Sequence, residues 1–142
     1  MKFISNIRAA GKFHRAAKSM QAGDYSAVLD RLDGFQAQPY FLAKAELFRA
    51  MARHRQDRFA EAVHHYDNFL TNHLADMPPK DRVYVEEYGK FFRSRAQARL
   101  DPSTPLYLSL EELRKLAENA PFLTRAEFTF GNLAEADLTG QI

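Results

Sequence analysis

Residues 43–70 read AKAELFRAMARHRQDRFAEAVHHYDNFL, and the architecture of the chain follows from this stretch. Its second half carries apolar side chains at steps of three and four residues, the spacing of one face of an amphipathic helix. These side chains are Ala62, Tyr66, Phe69 and Leu70. Its first half is rich in residues that favour helices, and Gln56-Asp57 lies between the halves. The stretch therefore predicts a helix, a tight turn and a second helix.

The same pattern occurs 34 residues upstream. Five pairs of residues stand 34 positions apart in the two copies: Ala16 and Ala50, Tyr25 and Phe59, Val28 and Ala62, Leu32 and Tyr66, and Phe35 and Phe69. A helix-turn-helix period of 34 residues is that of tetratricopeptide repeats. Residues 9–79 resemble two such repeats in tandem, and Pro39 and Pro78 stand near the place where the family often has a proline.

The resemblance implies an all-α fold, a short right-handed stack of antiparallel helix hairpins with six or seven helices in one domain, residues 1–142. Residues 80–138 would form a divergent repeat or capping helices, because a single repeat cannot bury its apolar face alone. Helices are expected at residues 8–22, 25–35, 40–55, 58–73, 80–99 and about 110–119, with a seventh at 132–138. Residues 124–130, TRAEFTF, also alternate as a strand does.

Local signals mark where these helices begin and where they pack closely. Asp24 is expected to cap the second helix, and Pro79 fits the first turn of the fifth. Ser109 followed by Glu112 predicts a capping box at the start of the sixth helix. Gly89 lies inside the fifth helix, where glycine costs about 1 kcal/mol relative to alanine. We therefore expect another side chain to pack closely against Gly89.

Composition excludes several classes of protein. The 142 residues include no cysteine, which rules out a disulfide framework and fits a reducing cytoplasm. No apolar run approaches the roughly 18–20 residues needed to span a bilayer, and the first residues lack the apolar core of a secretory signal. No phosphate-binding loop, nucleophile elbow or zinc-protease motif occurs. The sequence therefore predicts a cytoplasmic protein that is not an enzyme and carries no cofactor.

Charge alternates along the chain with the predicted helices. Residues 1–22 carry five cations and no acid, residues 23–40 and 59–79 are net negative, and residues 41–58 and 80–99 are net positive. The resemblance implies that the basic first helices line a concave groove. The groove-facing positions correspond here to Phe13, Ala17, Gln21, Lys44, Leu47, Met51, His54, Arg55, Arg82, Val85 and Tyr88. Cations beside apolar side chains suit an acidic or partly hydrophobic peptide.

Pairs of histidines and carboxylates have a structural explanation that we prefer to a chemical one. Neighbouring helical residues point about 100° apart, so His64 and His65 cannot easily bind one ion with His54. The pairs Glu86-Glu87 and Glu111-Glu112 diverge in the same way, and no nucleophile accompanies them. We therefore predict no metal site and no catalytic residues.

The basic residues have more than one interpretation. The acid-free N-terminus suits contact with nucleic acid, an anionic membrane surface or organelle targeting. Its cations are separated by small residues, however, which favours the exposed side of a packed first helix. Arginines clustered at residues 49–58 and 93–99 fit either a solvated face or a ligand groove.

The sequence predicts a non-enzymatic module that binds a protein or peptide partner, acting as an adaptor or in a chaperone-like role. The alternatives are a nucleic-acid-associated helical protein that uses its arginines on phosphates, and a structural subunit of a larger assembly such as a homo-oligomer. Glu46, Arg49 and Arg53 replace apolar residues of the repeat family. That departure makes Lys44–Arg55 the segment in which we expect function.

Overall fold

The computed structural model of the chain describes residues 2–120, and for residues 2–7 it describes the backbone only. Six α-helices follow one another in this part of the chain, and it contains no strand. They are α1 (Lys2–Gln21), α2 (Tyr25–Leu32), α3 (Pro39–Arg55), α4 (Phe59–Asn68), α5 (Pro79–Leu100) and α6 (Leu110–Ala117). A π-helical turn, Phe69–His73, and a 3-10 turn, Leu74–Asp76, continue from α4. The all-α class is therefore confirmed for these residues.

The helices begin where the local signals predict. The side chain of Asp24 accepts a hydrogen bond of 3.1 Å from the backbone N–H of Ala27 at the start of α2. Ser109 and Glu112 form the predicted capping box of α6, and α5 begins at Pro79. The helix α1 begins at Lys2, upstream of the expected start at residue 8. No glycine or proline interrupts residues 2–10, so nothing in the sequence ends the helix there.

The core is built from contacts between consecutive helices, and α3 lies at its centre. Each helix packs on the next, and α3 also contacts α1 and α5. Four of the five pairs of equivalent positions in the 34-residue period are buried in both copies, whereas the pair Tyr25 and Phe59 is half-buried. The buried pairs are Ala16 and Ala50, Val28 and Ala62, Leu32 and Tyr66, and Phe35 and Phe69. Because neighbours cover α3 on several sides, ten of its residues are buried, including Lys44, Glu46 and His54.

The glycine inside α5 is explained by close packing. Gly89 is buried, and a Cβ atom added to it would lie 3.0 Å from Cδ2 and 3.4 Å from Cγ of Leu70. Leu70 belongs to the π-helical turn that follows α4. A methyl group at Gly89 would require the Leu70 side chain to shift, so the expected close approach is confirmed.

Two expectations lie outside the described residues, the strand-like pattern at residues 124–130 and the seventh helix at 132–138. Within the described part, no helix combines the length and the apolar character that crossing a membrane requires. Two features of the described helices bear on the candidate site: the polar side chains buried along α3, and the outer face of α1.

Candidate functional site

The predicted groove residues lie mostly inside the molecule. Of the eleven positions predicted for the groove, Gln21 is exposed, Ala17 is half-buried, and seven are buried: Phe13, Lys44, Leu47, Met51, His54, Val85 and Tyr88. Arg55 and Arg82 are half-buried. The reason is the central position of α3, whose predicted groove face is covered by its neighbouring helices. In this structure these side chains stabilise the fold, and their contact with a peptide stays a prediction.

Lys44 shows how a cation predicted for a groove is accommodated in the core. Its Nζ lies 4.4 Å from the ring centroid of Phe13, 4.7 Å from that of Tyr40 and 5.4 Å from that of Phe41. It also donates a hydrogen bond of 3.3 Å to the hydroxyl of Tyr40. Aromatic faces attract a cation electrostatically. Lys44 therefore ties α3 to α1 through Phe13.

The two half-buried arginines also hold the fold together. Arg55 Nε donates a hydrogen bond of 2.9 Å to the hydroxyl of Tyr25, which links α3 to α2. Arg82 donates to the backbone carbonyls of Ala75 at 3.1 Å and Met77 at 3.0 Å. These bonds attach α5 to the turn that precedes it. The sequence alone could not distinguish an arginine that hydrogen-bonds within the fold from one that binds a ligand, because the guanidinium group is at least partly exposed in both cases.

His54 and Tyr66 form a neutral polar pair in the core. His54 Nδ1 and the Tyr66 hydroxyl share a hydrogen bond of 3.0 Å. Burial, and then the nearby positive charges of Arg55, Arg99 and Arg95, lower the pKa of His54 from 6.5 to about 3. Burial also raises the pKa of Tyr66 well above 10. A histidine held neutral in this way is a structural element and not an anion receptor.

Glu46 is the centre of a polar network that joins three helices, although the sequence pattern marked it only as a departure from the apolar residue of the repeat family. Its carboxylate accepts hydrogen bonds from Asn68 at 2.6 Å and His65 at 3.0 Å on α4, and from Arg49 at 3.2 Å. Arg49 also donates to the carbonyl of Leu32, 2.9 Å away, at the end of α2. Burial alone would raise the pKa of Glu46, but the hydrogen bonds from His65 and Asn68 outweigh it and lower the pKa to about 2.

The remaining histidine and carboxylate pairs have local structural roles or lie in solvent. His64 is exposed, and among the described residues no three His, Asp or Glu side chains meet in an arrangement that could bind a metal. Glu86 pairs with Lys90 at 3.1 Å, and Glu87 accepts a hydrogen bond of 2.6 Å from the Tyr107 hydroxyl. These contacts hold side chains on the outer face of α5.

A cleft of about 770 Å³ lies between α1 and the connector that joins α2 to α3; we call it the α1 cleft. It is lined by Arg8, Ala9, Gly11, Lys12, Arg15, Gly34, Phe35 and Gln36. Helix α1 supplies one wall, and the connector supplies the other after Gly34 turns the chain with a φ of 64°. The size is typical of ligand-binding clefts, which measure about 300–1,000 Å³.

The α1 cleft is basic at its rim and apolar at its base. Arg8, Lys12 and Arg15 are spaced so that all three lie on one face of α1. None of the three forms an ion pair with a described carboxylate, and the described residues that line the cleft include no acid. Ala9 and Phe35 are 4% and 5% exposed and supply apolar surface. The arrangement suits an anionic ligand with an apolar part.

The sequence contained one signal for this cleft, the acid-free run of residues 1–22. The spacing of Arg8, Lys12 and Arg15 could have been recognised as one helix face. What could not be recognised is that the connector around Phe35 returns to form the opposite wall.

Comparison with known proteins identifies no relative. No protein-family model matches the chain, and neither a curated protein nor a solved structure resembles it at a significant level.

Proposed function

We propose that this chain is a non-enzymatic protein–protein interaction module, an adaptor or chaperone-like protein of the cytoplasm that binds an acidic, partly hydrophobic peptide segment in the α1 cleft. One observation carries the proposal. Three cations without a described acidic partner, Arg8, Lys12 and Arg15, line the same cleft as the apolar side chains of Ala9 and Phe35. Cations that no described carboxylate neutralises are available to a ligand.

The spacing of these cations fits a peptide ligand. With a rise of about 1.5 Å per residue, Arg8 and Lys12 are separated by about 6 Å along the helix axis, and Lys12 and Arg15 by about 4.5 Å. Arginine binds carboxylates through two parallel hydrogen bonds, and apolar surface beside it favours a side chain over a bare ion. Several acidic side chains of one short peptide could therefore be bound together.

We also propose that the helices form a right-handed stack of antiparallel, tetratricopeptide-like hairpins. The support is the 34-residue period, in which four of the five pairs of equivalent residues are buried in both copies, and the packing of each helix on the next. In this arrangement α5 and α6 would be the divergent repeat or cap. The proposed ligand contact differs from the groove expected from the sequence, because seven of the eleven residues predicted for that groove are buried.

The proposal can be tested with a labelled peptide of alternating Glu and Leu and fluorescence anisotropy. Wild-type protein should bind it. Replacing Arg8, Lys12 and Arg15 together by glutamine should weaken binding at least about tenfold, since a partly exposed charged contact contributes up to about 1 kcal/mol. Circular dichroism should show that the variant remains helical.

A matched control removes the same charge elsewhere. Lys18, Lys80 and Lys115 are exposed and do not line the cleft. Changing these three to glutamine should leave the affinity within about twofold. Equal losses in the two variants, or no binding by wild type, would overturn the proposal. Tight binding of a single-stranded oligonucleotide, falling linearly with salt on a log–log scale, would favour the nucleic-acid alternative.

A further inference from the structure

Gly11 lies in the middle of α1, and the described residues supply neither a backbone nor a packing reason for a glycine there. Glycine is, after proline, the least favourable residue inside a helix. It is normally retained for a left-handed backbone or for close packing. Gly11 has an ordinary helical backbone, and a Cβ atom added to it would meet only Nη1 of Arg15, 3.9 Å away.

The other described glycines do have such reasons. Gly23 and Gly34 have φ angles of 79° and 64°, which L side chains rarely adopt. Gly89 lies against Leu70, so closely that a Cβ atom would be 3.0 Å from that side chain. Gly11 is thus the exception among the four glycines in the described part of the chain. Its distinguishing property is its position in the wall of the α1 cleft.

The cations are arranged around Gly11. Arg8 lies three residues before it and Arg15 four residues after it, so each is one helical turn away on the same side of α1. Lys12 is the next residue. Gly11 and Phe35 both line the cleft, and among the described residues a Cβ atom at residue 11 would come within 4 Å of Arg15 alone. The missing side chain therefore leaves space between the cations of a cleft that Phe35 also lines.

We infer that Gly11 determines the specificity of the α1 cleft by admitting one bulky apolar side chain of the ligand. The ligand is then an acidic peptide in which a large apolar residue stands between carboxylates. The carboxylates pair with Arg8 and Arg15, and the apolar residue lies over Gly11 against Phe35. This inference rests on the proposed function, since it concerns the same cleft.

Two probe peptides test the inference, Glu-Glu-Phe-Glu-Glu and Glu-Glu-Ala-Glu-Glu, each labelled and measured by fluorescence anisotropy. Wild-type protein should bind the Phe peptide about tenfold more tightly than the Ala peptide, because burial of the ring is favourable. Gly11→Leu fills the space, so this preference should disappear while the Ala peptide still binds. Leucine favours a helix over glycine, so Gly11→Leu should also unfold at a higher denaturant concentration.

Ala10→Leu is the matched control, because Ala10 is exposed on the same helix and does not line the cleft. It should keep the preference for the Phe peptide. Retention of the preference by Gly11→Leu would overturn the inference, as would equal binding of both peptides by wild type or destabilisation of Gly11→Leu. If wild-type protein binds neither peptide, both the inference about Gly11 and the proposed function fail. The three results that overturn the inference alone leave the proposed function intact.

Discussion

The buried imidazole of His54 makes the stability of the fold depend on pH. The residue is 3% exposed, and its pKa is about 3 instead of 6.5 because of burial and neighbouring arginines. A proton can therefore bind His54 easily in the unfolded chain but not in the folded one. Since the unfolded state binds more protons below pH 6.5, acid shifts the equilibrium towards unfolding.

We predict that the free energy of unfolding falls by about 2 kcal/mol between pH 7 and pH 5 through His54 alone. The measurement is denaturant unfolding at the two pH values for wild type and His54→Gln, and the variant should lack this part of the pH dependence. His64→Gln is the control, because it removes an imidazole that is exposed on the surface of α4 and not buried in the core. An unchanged pH dependence in His54→Gln would contradict the prediction.

At the scale of helices, Glu46 connects α3 to α4 and, through Arg49, to α2. Glu46→Ala should lower the free energy of unfolding at pH 7 by about 3 kcal/mol, since His65, Asn68 and Arg49 lose a shared acceptor. Glu46→Gln keeps one acceptor oxygen and should cost about half as much. The measurement is again denaturant unfolding.

The pH dependence of this network has its own range. Because the pKa of Glu46 is lowered from 4.5 to about 2, its ionised form stabilises the protein above pH 4.5, and the stabilisation is lost as pH falls towards 2.

Glu86→Ala is the control for Glu46→Ala, since Glu86 forms an ion pair with Lys90 on the surface of α5. It should lower the free energy of unfolding by less than about 0.5 kcal/mol. Equal costs for Glu46→Ala and Glu86→Ala would show that the buried network contributes nothing special.

The helices could be predicted from the sequence because their signals are local. Asp24, Ser109 and Pro79 act on the turn in which they stand, so their roles did not depend on the rest of the fold. The environment of α3 could not be predicted in this way. Lys44 and Glu46 are charged residues that would normally face solvent, and they are buried because neighbouring helices cover α3 and supply partners. The α1 cleft could not be predicted either, because its second wall is formed by the connector between α2 and α3, which packing of the helices brings next to α1.

At the scale of the whole molecule, α6 is the last helix of the described residues, and among the described helices it packs chiefly on α5. It has eight residues, fewer than the roughly 12–15 needed for a marginally stable isolated helix, so its order depends on tertiary contacts. Leu113 and Ala117 supply its buried face. Arg95 of α5 fixes the loop that leads to α6, by donating hydrogen bonds to the carbonyls of Tyr107 at 3.3 Å and Leu108 at 3.1 Å. The arrangement predicts that α6 can open while the core stays folded.

The substitution Arg95→Ala tests whether α6 opens separately from the core. It removes both hydrogen bonds to the loop and also the contact with Phe91, whose ring centroid lies 3.6 Å from the guanidinium carbon of Arg95. Amide hydrogen exchange should accelerate at least about tenfold in α6, with much smaller changes in α3 and α4. Arg93→Ala is the control, since Arg93 bonds to Asp67 on α4 and makes no bond to the loop; it should leave exchange in α6 unchanged. Uniform acceleration from α3 to α6 in Arg95→Ala would instead mean that the helices open as one cooperative unit.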